Sequence, residues 1–278
     1  MLLCFGDLCV DLIARTAHAP GSGEDATVDH MAITMAGAAV NCAIAAAKED
    51  VPVELMGIAG EDALGDSMLA HLASNGVGVQ HVRRVAEPTG MVMSIVHPGG
   101  ERTLYSFRGA NAAAYGVVPN IKCDYVYLSG YSFQTEFSRN MALELKAQAT
   151  LCALDPSFQF ARDFRTHYRE TLSGLRFLLP NYQEAQLMTG ETSVENCAAA
   201  LRQFNVATVV IKLGGQGCYV DTGTVQQYVR AELLESAKDT TGAGDTFCGV
   251  FLASVLQGLD ELAAAKRANS AARKHVAG

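Results

Sequence analysis

The sequence of 278 residues has no tryptophan, only 7 prolines and a charged fraction of just 18%. Its 21 basic residues are scattered and outnumbered by 29 acidic ones, for a net charge of −8. With no basic run to neutralise a phosphate backbone, a nucleic-acid partner is not expected. No apolar run reaches membrane-spanning length without charges, so no membrane partner is expected either. The start, Met1-Leu2-Leu3-Cys4-Phe5, lacks a basic flank and is soon broken by Asp7 and Asp11, unlike a secretory signal. None of the 8 cysteines forms a C-x-x-C pair. Free buried thiols in a reducing cytoplasm are therefore expected, rather than disulfides or zinc. The 7 histidines show no metal-ligand spacing.

Several enzyme signatures are missing too. There is no G-x-x-x-x-G-K-[ST] stretch, which excludes P-loop kinases. The H-R-D and D-F-G elements of protein kinases are absent, as is the G-x-S-x-G elbow of α/β-hydrolases. No G-x-G-x-x-G follows the first strand, which argues against a dinucleotide domain.

What is present fits an α/β enzyme: 49% hydrophobic residues and 26 glycines in a chain able to bury one large core. Leu2 to Phe5, Val53 to Ile58, Tyr125 to Leu128, Leu151 to Leu154, Arg176 to Leu179 and Thr208 to Leu213 read as strands. Helical stretches lie between them, at about 36–48, Leu64 to Asn75 and Met141 to Ala149. Strands alternating with helices imply a mostly parallel sheet covered on both faces, a three-layer fold. Two β-rich stretches interrupt that rhythm, at about 14–35 and 88–108, the second with a hairpin turn at Pro98-Gly99-Gly100-Glu101. They predict a small separate sheet, a lid, within one domain spanning 1–278.

Chemistry concentrates in Asp239-Thr240-Thr241-Gly242-Ala243-Gly244-Asp245-Thr246-Phe247, a glycine-rich turn running into an apolar helix. The amides of Gly242, Ala243 and Gly244 at a helix start make an anion hole. Asp245 beside it suits a base taking a proton from a hydroxyl that attacks a phosphoryl group. A plain acidic helix cap is the alternative. Asn181 and Glu184, one helical turn apart, could hold waters around Mg²⁺ or simply cap a helix. Gly214 and Gly217 allow close approach by a nucleotide, or form an ordinary hairpin. Asp11 stands among apolar residues, where ligand hydroxyls or solvent would be its partner. Asn41 presents an amide from a helix of small residues.

Taken in order, Gly6-Asp7 with Asp11, Gly37 to Asn41, Gly60-Glu61-Asp62 with Gly65, and Glu101-Arg102-Thr103 with Asn111 resemble the ribokinase-like (PfkB) carbohydrate kinases. Asp155-Pro156, Asn181 with Glu184, Lys212-Leu213-Gly214 with Gly217, and Asp239 to Phe247 continue the resemblance across nearly the whole chain. It implies an ATP-dependent kinase acting on a primary hydroxyl of a small sugar, of fructokinase or ribokinase type, under a β-sheet lid that often pairs subunits into a homodimer. Asp245 matches the catalytic base and Gly242, Ala243 and Gly244 the anion hole. Asp11, Gly37 and Asn41 match the sugar contacts, which Arg108 and Asn111 are expected to join. Asn181 and Glu184 match the motif tied to Mg²⁺, and Lys212, Gly214, Gly217 and Asn269 lie on the nucleotide side. Asp239 and Thr241 match positions that bind K⁺ in potassium-activated members.

The sequence departs from the family pattern at Ala36, where a glycine is frequent. Ser106 and Gln159 stand where members acting on keto-deoxy sugar acids usually carry Tyr and Arg. The family usually continues beyond the helix of Asn269 with a Gly-Ala turn and one further element, whereas this sequence ends at Gly278. Tyr105 and Phe107 in the lid are candidates to stack a base, which would favour a nucleoside kinase. A sugar-binding relative without catalysis is the remaining alternative.

Overall fold

Apolar residues alternate across β1 (Leu2–Phe5), with Leu2 and Cys4 entering one core and Leu3 and Phe5 another. A strand buried on both faces belongs in the interior of a covered parallel sheet. The computed structural model, which describes residues 1–18, 22–97, 101–116, 121, 123–232 and 240–277, places β1 there. On one side β1 pairs in parallel with β4 (Val53–Gly60), followed by β5 (Gly78–Val85) at the edge. On the other side come β8 (Tyr125–Ser129), β9 (Leu151–Asp155), β10 (Phe177–Leu178) and β11 (Thr208–Lys212), all parallel. An antiparallel pair, β12 (Gly217–Asp221) and β13 (Gln226–Arg230), completes the 9-stranded sheet.

The helices divide between the two faces. One face carries α1 (Ala38–Ala47), α2 (Ala63–Ser74), α7 (Ala243–Leu256) and α8 (Glu261–Ala277). The other carries α3 (Glu136–Gln148), α4 (Phe158–His167), α5 (Tyr182–Thr189) and α6 (Val194–Arg202). Cores on both sides of the sheet give the expected three layers. The sequence pattern does not predict β5, whose alternation is broken by Arg83 and Arg84. It forms because β4 offers it a parallel edge, with a register shift between Glu54 and Met56.

The lid is a separate 4-stranded sheet in the order β3 (Val28–Ala36), β2 (Cys9–Thr16), β6 (Gly90–Val96), β7 (Arg102–Phe107). It begins earlier than predicted, so Asp11 belongs to the lid and not to the central sheet. Strands β6 and β7 pair antiparallel as a hairpin would, though its turn residues 98–100 lie outside the described residues. Register assigns each lid residue to a face, because directly paired residues project to the same side. Asp11 pairs with Val92 and Val92 with Ser106, while Arg15 pairs with Val96 and Val96 with Arg102. Arg102 reaches Thr241 in the main body, which marks this as the inner face. Ile33, Leu12, Met93 and Tyr105 form one row of the outer face, and the next row runs from Met35 and the buried Val10, which pack into the main core at the root of the lid, to Met91 and Phe107.

Small residues let α1 lie close to its neighbours. A Cβ on Gly249 of α7 would stand 2.2 Å from the Cys42 carbonyl oxygen and 2.9 Å from the Ala45 Cβ, both in α1. Gly6 makes a similar approach, since a Cβ there would lie 2.6 Å from that of Ala39. Gly249→Val is expected to destabilise the fold by about 1–3 kcal/mol or more through overpacking, measured by urea denaturation.

Candidate active site

The glycine turn predicted from sequence enters α7 with Gly242 as its N-cap, at a φ of 75° that favours glycine. Thr246 donates its amide to the Gly242 carbonyl at 2.8 Å, which fixes the first turn. Among the described residues no acceptor meets the amides of Gly242 and Gly244. Ala243 differs, because its amide makes a long turn bond of 3.3 Å to the Thr240 carbonyl. The anion hole therefore rests mainly on the other two amides and on the dipole of α7.

Asp245 stands in the first turn of α7 and is partly buried. Asn41 of α1 donates from Nδ2 to Asp245 Oδ2 at 2.8 Å. One carboxylate oxygen is thus held by the protein, which orients the other. Burial, reinforced by the Asp155 carboxylate, pushes Asp245 up to about 6, while Asn41, Lys212 and His275 pull it back. Sequence resemblance gives Asn41 to the sugar; in the structure its amide nitrogen serves the base. Gly37 is the N-cap of α1 at φ 129°, where a Cβ would lie 2.4 Å from the Asp7 carbonyl oxygen.

Beneath the loop lies a charged pair that the sequence reading left without a role for Asp155. Lys212 Nζ, at the end of β11, donates to Asp155 Oδ1, at the end of β9, at 2.6 Å. Cys248 Sγ lies 3.3 Å from Asp155 Oδ2 and 3.5 Å from Lys212 Nζ. Burial alone would favour the neutral amine, but the Asp155 carboxylate, and beyond it Glu184, hold the Lys212 ammonium above its ordinary value. Burial and Asp155 raise the Cys248 thiol, which stays neutral. A Cβ on Gly244 would stand 3.5 Å from Lys212 Nζ, so the ammonium underlies the anion-binding turn. The side chains meet because parallel strands deliver them to the same end of the sheet, where open α/β sheets bind ligands.

Asn181 and Glu184 form a complete capping box on α5. The Asn181 side chain accepts the Glu184 amide at 2.9 Å, and Glu184 Oε2 accepts the Asn181 amide at 2.8 Å. Both also line the cavity. Burial pushes Glu184 up to about 7, against the pull of Lys212. The capping and ligand readings are therefore compatible: one oxygen of Glu184 closes the helix while the residue faces the cavity.

That cavity, of about 620 Å³, opens over the loop. Asp155, Lys212, Gly244 and Asp245 line it, together with Gly214, Gly217, Asn269 and Val276. Gly214 and Gly217 turn β11 into β12, so the hairpin reading of that G-x-x-G is correct and its backbone still lines the cavity. A Cβ on Gly217 would stand 2.2 Å from the Val229 carbonyl oxygen. The buried Asn269 donates to that same carbonyl at 2.8 Å, which limits the use of its amide on a ligand.

Arg108 and Asn111, both expected to contact the substrate, are engaged by the protein itself. The buried Asn111 accepts the Leu8 amide at 3.0 Å and donates to the Leu8 carbonyl at 2.8 Å, so both ends of its amide hold the chain where it enters β2. Arg108 pairs with Asp7 at 2.9 Å and donates to Gln134 Oε1 at 2.7 Å. Both residues stand at the root of the lid; the Asn111 amide and the two terminal nitrogens of Arg108 are held by protein partners, while Arg108 Nε is buried with none among the described residues. Burial raises Asp7 to about 6, and Arg108 moderates the rise. Burial likewise raises Asp11, on the inner face of the lid, to about 6. Tyr105 and Phe107, candidates for base stacking, lie on the outer face and are 58% and 54% exposed.

Asp239 lies outside the described residues. Thr241 accepts from Arg102 Nη1 of the lid at 2.9 Å through its hydroxyl, and from His275 Nε2 of α8 at 2.8 Å through its carbonyl. Nothing in the spacing of the sequence forecasts these two contacts, which join the loop to distant elements. Among the described residues no group of three or more His, Cys, Asp or Glu could enclose a metal, and no helix is long and apolar enough to cross a membrane.

Residues 1–277 match the pfkB family carbohydrate kinases. Among relatives, a ribokinase of Schizosaccharomyces pombe is 28% identical over 92% of this chain and 86% of its own length. A 2-dehydro-3-deoxygluconokinase of Bacillus subtilis is 26% identical over 85% of this chain and 78% of its own. The solved structure of an Arabidopsis thaliana ribokinase, complexed with ribose and ATP, covers 100% of this chain and 92% of its own with a TM-score of 0.82 at 24% identity. The chain belongs to the pfkB family of carbohydrate kinases, which are phosphotransferases acting on an alcohol group. Its fold is ribokinase-like.

Replacing Lys212 by Met would leave the Asp155 carboxylate buried without its cation. Urea denaturation is expected to show a loss of about 3–5 kcal/mol.

Proposed function

We propose that the protein is an ATP-dependent kinase phosphorylating a primary hydroxyl of a small, uncharged sugar. The observation that carries this is Asp245: a carboxylate held by Asn41 beside open helix-start amides, on the wall of a cavity large enough for a nucleotide. The relatives' names and the ribose and ATP of the solved ribokinase support both substrates. Asp245 would accept the proton of the attacking hydroxyl, while the amides of Gly242 and Gly244 and the Lys212 ammonium face the charge that develops on the transferred group. Asp11, on the inner face of the lid, and Gly37 would fix the sugar, and lid closure would exclude water as a competing acceptor.

Mg²⁺ suits the residues present. A raised, cavity-facing Glu184 and the Asn181 amide can hold water around a cation that takes few protein ligands. When bound, it would supply charge neutralisation for the phosphates. Cytoplasmic residence accords with 8 free thiols.

An uncharged sugar is favoured over a sugar acid because Arg108, at the lid root, is already paired with Asp7. Gln159, where acid-specific members carry Arg, bonds to Asp163 on its own helix at 2.8 Å. A homodimer through the lid is supported by the outer face, where Met31, Ile33, Tyr105 and Phe107 are each more than half exposed. Apolar surface of that kind on a soluble sheet marks an interaction site.

An ADP-release screen over pentoses, hexoses, sugar acids and nucleosides tests the reading, with turnover expected on a neutral sugar. Sugar binding without ADP release under any metal condition would instead favour a non-catalytic binder, and best turnover on a sugar acid or a nucleoside would overturn the substrate. Asp245→Asn should keep the fold and lose about 10²–10⁴-fold in kcat. With Asp245 raised to about 6, activity should fall as pH drops through that value, since the base is then protonated. Asn41→Ala removes a bond that favours the charged form, so its acid limb should move to higher pH. Ile33→Glu should convert a dimer to a monomer in sedimentation equilibrium.

A further inference from the structure

We infer that Arg102 and His275 anchor the anion-binding loop at Thr241, in the place where potassium-activated kinases of the family use a monovalent cation. The Thr241 carbonyl accepts from His275 Nε2 at 2.8 Å. A carbonyl oxygen only accepts, so this ring nitrogen carries its proton toward it. The Thr241 hydroxyl accepts from Arg102 Nη1 at 2.9 Å. Each of the two oxygens that Thr241 could offer a cation is therefore met by a donor from the protein. A potassium ion there would have to share the carbonyl with the imidazole N–H and the hydroxyl with a guanidinium that never loses its charge and repels it. Thr241 does not fit a potassium ligand in this chain.

The two donors come from elements that do different work. His275 lies in the last turn of α8 and packs against the turn itself, since a Cβ on Gly242 would stand 3.3 Å from its Nε2. Arg102 begins β7, on the same face of the lid as Asp11. Its bond to Thr241 crosses from the sheet that covers the acceptor to the residue just before the open amide of Gly242. A loop anchored in this way is held in its anion-binding shape while the lid is down. A solvent cation would hold the loop whatever the position of the lid. Arg102 is thus a positioning residue, joining closure over the acceptor to assembly of the phosphate side.

The kinetic part of the test rests on the kinase reading, and the melting part does not. The full chain is melted in potassium chloride and in tetramethylammonium chloride at equal ionic strength, and ADP release is followed in both. The expected result for the unmodified protein is the same melting temperature in the two salts and a kcat that agrees within about twofold. Arg102 is exposed, so its replacement should leave the fold intact. Arg102→Ala is expected to lower kcat about tenfold or more through misplacement of the loop. Arg102→Lys or added ethylguanidinium should recover part of that loss, which a merely structural arginine would not show.

A potassium-specific rise in melting temperature or kcat of the unmodified protein overturns the inference. So does native turnover in Arg102→Ala, or a loss that neither Arg102→Lys nor ethylguanidinium restores. If no acceptor yields ADP, the kinase reading fails, and the melting comparison alone decides whether potassium binds.

Discussion

The site depends on how closely α1 can approach α7. Gly249 gives way to the Cys42 carbonyl, and the alanines of α1 leave no bulk to hold the helices apart. At that separation Asn41 reaches Asp245, a residue 204 positions away, and donates to its carboxylate at 2.8 Å. A larger residue at the crossing would press the two helices apart. Helix packing, usually a matter of stability, here sets the direction and charge of a single carboxylate.

Charge around the loop is arranged on the same scale. The chain as a whole is acidic, so no long-range field draws an anion inward. Attraction must be local, and the structure supplies it from open amides, a helix dipole and Lys212, itself held by Asp155. On the wall of the cavity Asp245 is raised to about 6 and Glu184 to about 7, because burial outweighs the nearby cation. Such carboxylates gain most from a ligand that brings positive charge or takes up their proton.

Much of this was legible from residue order. The parallel strands, the separate lid, the helix start at Gly242 and the capping box at Asn181 and Glu184 follow from local pattern and turn chemistry. Other features depend on contacts between distant segments. The edge strand β5 has weak alternation and exists because β4 is there to pair with it. Arg108 and Asn111 carry the polar groups of a ligand site, yet Asp7 and Leu8 take those groups first. Tyr105 and Phe107 look like a stacking pair until register turns them outward, because in a strand a shift of one position reverses the face.

The family, the layered α/β architecture and the placing of Asp245 at a helix start beside exposed amides follow from residue order alone. These are local properties, fixed by hydrophobic period, glycine and the order of the motifs. Tertiary structure decided which side chains meet: Asn41 with Asp245, Lys212 with Asp155, and Arg102 and His275 with Thr241. Each pair joins residues far apart in the chain, and no spacing rule encodes a distance that only the packed sheet, its helices and its lid define.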